Sequence, residues 1–524
     1  MQAAQWGGIA AVALLYAVFM FVGWRGARRA EGRSIADLLI AGRAMPFWMA
    51  TLTMAATWID GGYLLGTAEG VFASIPSAWQ GGVCFGLSLV LGGAIFARRM
   101  RRLEYVTLID PFTARFGPAW SSVLALPALL GEVLWSAELL VAIGATLGVM
   151  LGINLVTAIV VSCAVVTVYT IWGGMWSIGY TDVVQFALIP LGLCVALPFA
   201  LDAAGGFTTA WDAYTSARPE AARLFPPVAV DSYWTAGRVM QWWDLAIMLV
   251  AGGIPWNCYF QRVQSCQTPA RAAWHSVAAG VITIVMTGPP LLLGLAAFSF
   301  PHWSGAAAAE LQATPAMALP LLLSQAVPPL VGILGLAAIV GAVTSSFSAS
   351  IMSAGSMVGW NYGQQLLATN ISDLNLKRLV RASILVLSCL AVLLALRVQS
   401  VQQLWFFTSD LVFVLLFPQL VFALFDAKAN RTGSIVAFLL SLVLRLGGGE
   451  AIFAIPAFIP YDDTMAAVWP GLESTPSTDG LIAVFPVRTF AAMVGMIALP
   501  LVSRLTARWD PPRPIGNPAL NKSH

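Results

Sequence analysis

Seven acidic residues lie within, or at the ends of, stretches otherwise apolar enough for lipid: Asp60, Glu69, Glu132, Glu138, Asp182, Asp244 and Asp410. At the centre of a membrane helix such a group costs about 2.5–3.5 kcal/mol on insertion scales, and it marks function by default. Hardly a basic residue lies deep enough to pair with them, because Arg445 and Arg488 sit near predicted span ends and can snorkel. An unpaired acidic set suits a cation, whether sodium, a proton or an organic ammonium. An anion carrier would want a buried Arg or Lys instead. Glu69, Asp182 and Asp244 have a plainer reading near helix ends, as caps or water contacts. Glu132 and Glu138 lie mid-span, where hydrogen bonding across helices competes with a functional role.

Asp60 is a different matter. It lies in ATWIDGGYLLGTAEG (56–70), where Gly61 and Gly62 weaken a helix at membrane depth. Freed backbone groups are tolerated there only when buried in protein or lining a cavity, and transporters use such breaks to coordinate ions and substrate. A second interruption occurs in AGGIPWNCYFQ (251–261), with Gly252, Gly253 and Pro255; proline removes a donor and clashes with the preceding turn. Trp58 adjoins the first break and Trp256 the second, while Trp135 stands mid-span with Glu132 and Glu138 one turn away on either side. Indole faces attract a desolvated cation by about 2 kcal/mol, and quaternary ammonium groups are the usual beneficiaries. Trp24, Trp48, Trp303 and Trp469 read instead as interfacial belt residues.

A third element, GAVTSSFSASIMSAGSM (341–357), is dense in small hydroxyl residues. These permit close helix packing, and they also offer the neutral oxygens that hard cations prefer. Ser345 and Ser346 project about 100° apart on a helix, so both can face one ion only across a crevice shared with a second helix. An unwound second span would supply carbonyls there.

The elements that must position these groups follow from composition. Of 524 residues, 59% are hydrophobic and 10% charged, against roughly 25% charged in soluble domains. Apolar runs of about 20 residues, enough to cross about 30 Å of hydrocarbon, recur along the chain. Thirteen spans are predicted, near 6–24, 47–72, 79–97, 119–149, 154–172, 178–201, 238–261, 273–299, 328–365, 379–396, 402–425, 431–447 and 485–503. With the N-terminus outside, alternation places 21 of the 27 basic residues on the inner side, as the positive-inside rule requires. Arg262 and Arg271 are assigned to an inner loop by this count. The first span has no basic region before it and reads as retained rather than as a cleaved leader.

The two breaks fall in the second and seventh spans, so each opens a five-span half. Five is odd, and the halves enter the membrane in opposite directions, the geometry of an inverted repeat with its site at the repeat interface. The chain therefore divides into 1–46 (first span and inner loop), 47–201 (first repeat), 202–237 (outer loop), 238–425 (inverted second repeat), 426–506 (two further spans with an outer loop) and 507–524 (inner tail). The expected fold class is an all-α polytopic membrane protein of the plasma or inner membrane, N-terminus out and C-terminus in. Arginine outnumbers lysine 24 to 3, which looks like a high-GC bacterial genome.

Other chemistry finds little support. The cysteines Cys84, Cys163, Cys194, Cys258, Cys266 and Cys389 form no CxxC pair, and His275, His302 and His524 make no ligand spacing. No Walker or dinucleotide motif opens a helix, and no nucleophile–base pair indicates an enzyme. The net charge of +3 follows from the basic inner loops and needs no nucleic-acid partner.

Seven stretches run in order from the second span to the twelfth: ATWIDGGYLLGTAEG, YVTLIDPF (105–112), GEVLW (131–135), YTDVVQ (180–185), GGIPWNCYFQRV (252–263), TSDLVFVLLFPQL (408–420) and LRLGGGE (444–450). Together they resemble the sodium/solute symporter family, and within it the high-affinity choline transporters, over nearly the whole chain. The resemblance implies a LeuT-type five-plus-five inverted repeat of about 13 helices, with one extra before it and two after, and inward transport of choline coupled to sodium. It implies a sodium site from the carbonyls of Ala56, Ile59 and Ala342 and the hydroxyls of Ser345 and Ser346. The implied choline pocket holds Trp58, Phe85, Trp135 and Trp256, with Trp405 a further candidate. Three positions depart from the pattern: Asp60 replaces a glycine, Ser348 an aspartate and Phe85 a tyrosine. One acid gained and one lost suggests a carboxylate moved to another helix, with Asp60 serving cation or proton coupling.

The function expected is sodium-coupled uptake of choline or a related quaternary ammonium solute by alternating access. A symporter for betaine, carnitine or an amino acid is the alternative; a buried basic residue near the breaks would favour it, and none is read there. A membrane solute sensor is a third reading, for which the short proline-rich tail offers no output module. The exact amine, the sodium stoichiometry, a chloride requirement and the oligomeric state are left open by the residues.

Overall fold

A computed structural model describes residues 2–30, 34–73, 75, 78–229, 231, 233–303, 305–367, 371–397, 401–450, 454–461 and 485–516. Among the described residues, nine helices are long and apolar enough to cross a membrane. Five of the predicted spans take other forms, and their shapes are informative. The predicted span 47–72 is split. Helix α2 (Phe47–Trp58), which follows the N-terminal α1 (Gln2–Ala30), stops at Ile59, whose φ of −92° and ψ of 73° leave the helix. The chain resumes through a π-helical turn at Gly62–Gly66 and the short helix Thr67–Phe72. After α3 (Gln80–Leu91) comes α4 (Pro118–Leu151), and then α5 (Leu155–Ala203), which unites the predicted spans 154–172 and 178–201. They still part at a sharp corner, because Gly174 has φ 52° and ψ −143°. A Cβ there would lie 2.4 Å from the Leu38 carbonyl oxygen, so glycine is required both by conformation and by space.

The seventh span is likewise two half-helices, α6 (Ala236–Gly252) and α7 (Asn257–Ser265), joined through Gly253–Trp256. α8 (Pro269–Met286) continues into Gly288–Ser299. The serine-rich α9 (Pro329–Ser356) packs against α5, α4 and α2 in the middle of the bundle. α10 (Asp373–Ala395), α11 (Val401–Phe425), the shorter α12 (Arg431–Gly447) and α13 (Val487–Thr506) complete the set. Most of the predicted outer loop before α13, and the inner tail beyond residue 516, lie outside the described residues.

The structure corrects the sequence reading on charge. Arg262 is not in an inner loop but fully buried on α7, 3.6 Å from the buried Asp182. A buried basic residue therefore does lie near the second break. Arg445 and Arg488 do not snorkel away: Arg445 contacts Asp410 and Glu450, each at 2.5 Å, and Arg488 reaches Asp244 and Asp410, both at 3.2 Å. The cause is the course of the chain. The short half-helix α7 carries Arg262 into the bundle, and α12 and α13 bring their arginines alongside acids remote in sequence. Asp182, Asp244 and Asp410 are thus accounted for as structural ion pairs.

Candidate functional site

Both helix breaks open onto one small cavity. It is lined by five aromatic residues, Trp58, Phe85, Trp135, Trp256 and Trp405, and by Asp60, Cys258, Thr408 and Ser409. Each ring arrives from a different place. Trp58 is the last residue of α2 and Trp256 the residue before α7, so each break presents one indole. Trp256 is fixed by its own break, since its indole N–H donates to the Gly252 carbonyl at 2.9 Å. Trp135 of α4 meets it edge-on, with centroids 5.3 Å apart at 68°. Phe85 of α3 packs against Trp405 at 5.2 Å. Trp405 comes close because Gly62 and Gly81 have no side chain: a Cβ on either would lie within 2.6 Å of its ring.

Asp60 is the one charged residue among those lining the cavity. Its Oδ2 accepts the Trp135 indole N–H at 2.6 Å and its Oδ1 the Tyr63 backbone N–H at 2.7 Å. The break thus caps itself with the Asp60 side chain, as a carboxylate does at a helix start, and aims the group at the aromatic rings. Ser348 uses its hydroxyl on its own helix, donating to the Ser345 carbonyl at 2.8 Å.

A second grouping lies beside the first break. The last helical amide of α2 is spent on Ala55, whose carbonyl accepts from Ile59 N. The next carbonyls, of Ala56 and Thr57, are left over, as at any helix end. Ser345 Oγ donates to Ala56 at 2.6 Å, and Ser346 Oγ reaches Thr57 at 2.9 Å and Ala56 at 3.3 Å. Both hydroxyls also approach the Ala342 carbonyl, at 3.1 and 3.2 Å. Ala56, Ala342, Ser345 and Ser346 therefore converge as a cluster of oxygens; the Ile59 carbonyl takes part in none of these bonds. All of these residues are fully buried.

The two mid-span acids of α4 differ. Glu132 bonds across to α9, accepting from Ser350 Oγ at 2.9 Å and from Ser353 Oγ, which is the plainer reading of that residue. Glu138, also fully buried, faces the Gly62 backbone N–H at the first break. Glu69 is buried in the short helix that follows the first break.

Sequence reasoning missed Thr408, Ser409, Cys258 and the Thr57 carbonyl. Thr408 and Ser409 stand three and four residues after Trp405, on the same helix face, so periodicity could have found them. Cys258 lies two residues beyond Trp256, and nothing in the sequence sets it apart from the other scattered cysteines. Thr57 required the exact end of α2.

The sodium:solute symporter family matches residues 38–441. The high-affinity choline transporter 1 of Drosophila melanogaster is 35% identical over 505 residues, covering 95% of this chain and 78% of its own. The human high affinity choline transporter 1 is 35% identical over 472 residues, covering 87% and 79%. In three dimensions the chain is similar to a Na+-coupled sialic acid symporter in a substrate-bound outward-open state, with a TM-score of 0.72 at 17% identity over 95% of this chain and 98% of that one. That likeness is one of fold. With LeuT-type architecture, several membrane-crossing helices and a family match along most of its length, the chain belongs to the sodium:solute symporter family and is a multi-pass membrane transporter.

Proposed function

We propose that the chain carries choline, or a closely related quaternary ammonium solute, inward with sodium by alternating access. The observation that carries this reading is the aromatic cavity at the two helix breaks, with Asp60 as its charged lining residue. A trimethylammonium group has no N–H to donate, so acceptors cannot recognise it. Aromatic faces can, at about 2 kcal/mol for each desolvated contact, and one carboxylate balances the charge. The choline transporters among the relatives support the same substrate class.

Sodium is assigned to the oxygens of Ala56, Ala342, Ser345 and Ser346, with the Ile59 carbonyl as a further ligand. The halves 47–201 and 238–425 rock about this centre, with the N-terminus outside and the C-terminus in the cytoplasm. Moving each positive charge inward through 100 mV supplies about 2.3 kcal/mol, so both the ion and the substrate draw on the membrane potential. Betaine, carnitine and amino acids carry a carboxylate that Asp60 repels. Arg262, the buried base near the second break, is bound to Asp182 and absent from the cavity lining.

The test is uptake by proteoliposomes, comparing choline, betaine and carnitine with and without a sodium gradient, in chloride and in gluconate. Saturable choline uptake that requires sodium is expected. Uptake of betaine or carnitine in preference to choline, or a rate indifferent to sodium, rejects the reading.

A further inference from the structure

Aromatic faces and one carboxylate account for the ammonium end of a choline-like solute, and they leave its hydroxyl end without a partner. The polar residues that line the cavity are Asp60, Cys258, Thr408 and Ser409. Asp60 is held by the Trp135 indole and the Tyr63 amide and answers the positive charge. The Thr408 hydroxyl spends its proton within its own helix, on the Trp405 carbonyl at 2.8 Å. A thiol such as that of Cys258 is a weak donor and a weak acceptor. Ser409 differs from all three. It is 1% exposed, and its hydroxyl enters none of the hydrogen bonds among the described residues. A buried hydroxyl without a partner is costly, so a ligand group that completes it is favoured.

The placement of Ser409 suits that task. It stands one turn beyond Trp405 on α11, and residues four apart on a helix are neighbours, with Cβ atoms about 5–6 Å apart. The Trp405 ring and the Ser409 hydroxyl therefore share one wall of the cavity. This stretch of α11 is fixed by its surroundings. The second break closes against it because Gly252 has no side chain: a Cβ there would lie 2.9 Å from the Ser409 carbonyl oxygen. The Gly252 carbonyl in turn holds the Trp256 indole. The next residue, Asp410, is paired with Arg445 and Arg488. We propose that Ser409 binds the hydroxyl of the substrate while the rings take its ammonium, so that the site selects hydroxyalkyl quaternary amines over alkyl ones of the same size. A serine hydroxyl both donates and accepts, and it meets an alcohol in either sense, whereas a methyl group in the same place leaves it unpaired. The inference rests on the proposed function for the ammonium end and adds the residue that reads the other end.

The test is equilibrium binding to the purified full chain at saturating sodium, with choline set against n-propyltrimethylammonium, which carries a methyl where choline has its hydroxyl. Wild type should bind choline about tenfold more tightly than the propyl compound. Ser409→Ala should cut that ratio by about tenfold, because the substrate hydroxyl loses its partner and the propyl chain has none to lose. A ratio in Ser409→Ala within about twofold of wild type overturns the assignment. So does a wild type that binds the two amines equally, a comparison that needs no variant should Ser409→Ala fail to fold. In both cases the amines still bind, and the aromatic reading of the cavity stands. Failure of wild type to bind either amine rejects that reading, and the role of Ser409 falls with it.

Discussion

Trp256 offers the sharpest test of the cavity, because it belongs at once to a break, a ring pair and the lining. Replacing it with alanine removes one face from the ligand, worth about 2 kcal/mol when desolvated. It also removes the edge-on contact with Trp135 at 5.3 Å, a pair worth about 0.5–1.5 kcal/mol. If both losses fall on the bound state, choline affinity drops by about 2.5–3.5 kcal/mol, on the order of a hundredfold or somewhat more. Phenylalanine at the same position keeps a face but gives up the indole bond to the Gly252 carbonyl, and its loss should stay within about tenfold. The assay is equilibrium binding of radiolabelled choline to purified protein at saturating sodium, with thermal unfolding of each variant measured alongside. Binding by Trp256→Ala within about threefold of wild type refutes the reasoning, and so does an equal loss from alanine and phenylalanine in equally stable proteins.

Four further outcomes are expected. Ser345→Ala/Ser346→Ala should raise the half-saturating sodium for choline uptake by about tenfold or more, because two oxygen donors worth about 0.5–1.5 kcal/mol each are lost; an unchanged sodium curve rejects that site. Asp60→Asn should weaken choline binding while leaving the aromatic lining in place, and unchanged substrate affinity and sodium dependence in that variant show that the carboxylate serves neither. Arg262→Met should destabilise the protein by about 3–5 kcal/mol by leaving Asp182 buried without its partner, and adding Asp182→Asn should recover most of the loss in thermal unfolding. Gly174→Ala should cost about 1–3 kcal/mol in backbone strain alone, with the contact at the Leu38 carbonyl adding to it; wild-type stability in that variant contradicts the geometry of the corner.

The breaks were legible because they violate a rule. Gly61, Gly62, Gly253 and Pro255 stand where a membrane helix should be unbroken, and the tryptophans beside them stand where belt residues do not. The serine pair was legible for a similar reason, since two adjacent hydroxyls have no use on a lipid-facing helix. The ion pairs were hidden because no periodicity links Arg262 to Asp182, 80 residues earlier, or Arg488 to Asp244. Their partners are set by how helices pack, which a linear pattern does not encode. Glu138 was singled out in the sequence but could not be separated from Glu132. The difference between them lies in the serines of α9, which reach Glu132 and not Glu138.

Arg488 bears on what the smallest working version of this protein can be. Its guanidinium is divided between Asp244 on the half-helix α6 and Asp410 on α11, and the neighbouring Thr489 amide holds Asp244 at 2.7 Å. Arg445 of α12 supplies the rest of the positive charge to Asp410. Both arginines therefore come from α12 and α13, while the acids that they neutralise lie on α6 and α11. A chain ending after α11 would keep every residue of the cavity and yet leave two buried acids without their partners. The last helices are consequently part of the folding unit rather than an accessory to it, and grafting or shortening experiments should carry residues 431–506 along with the helices before them.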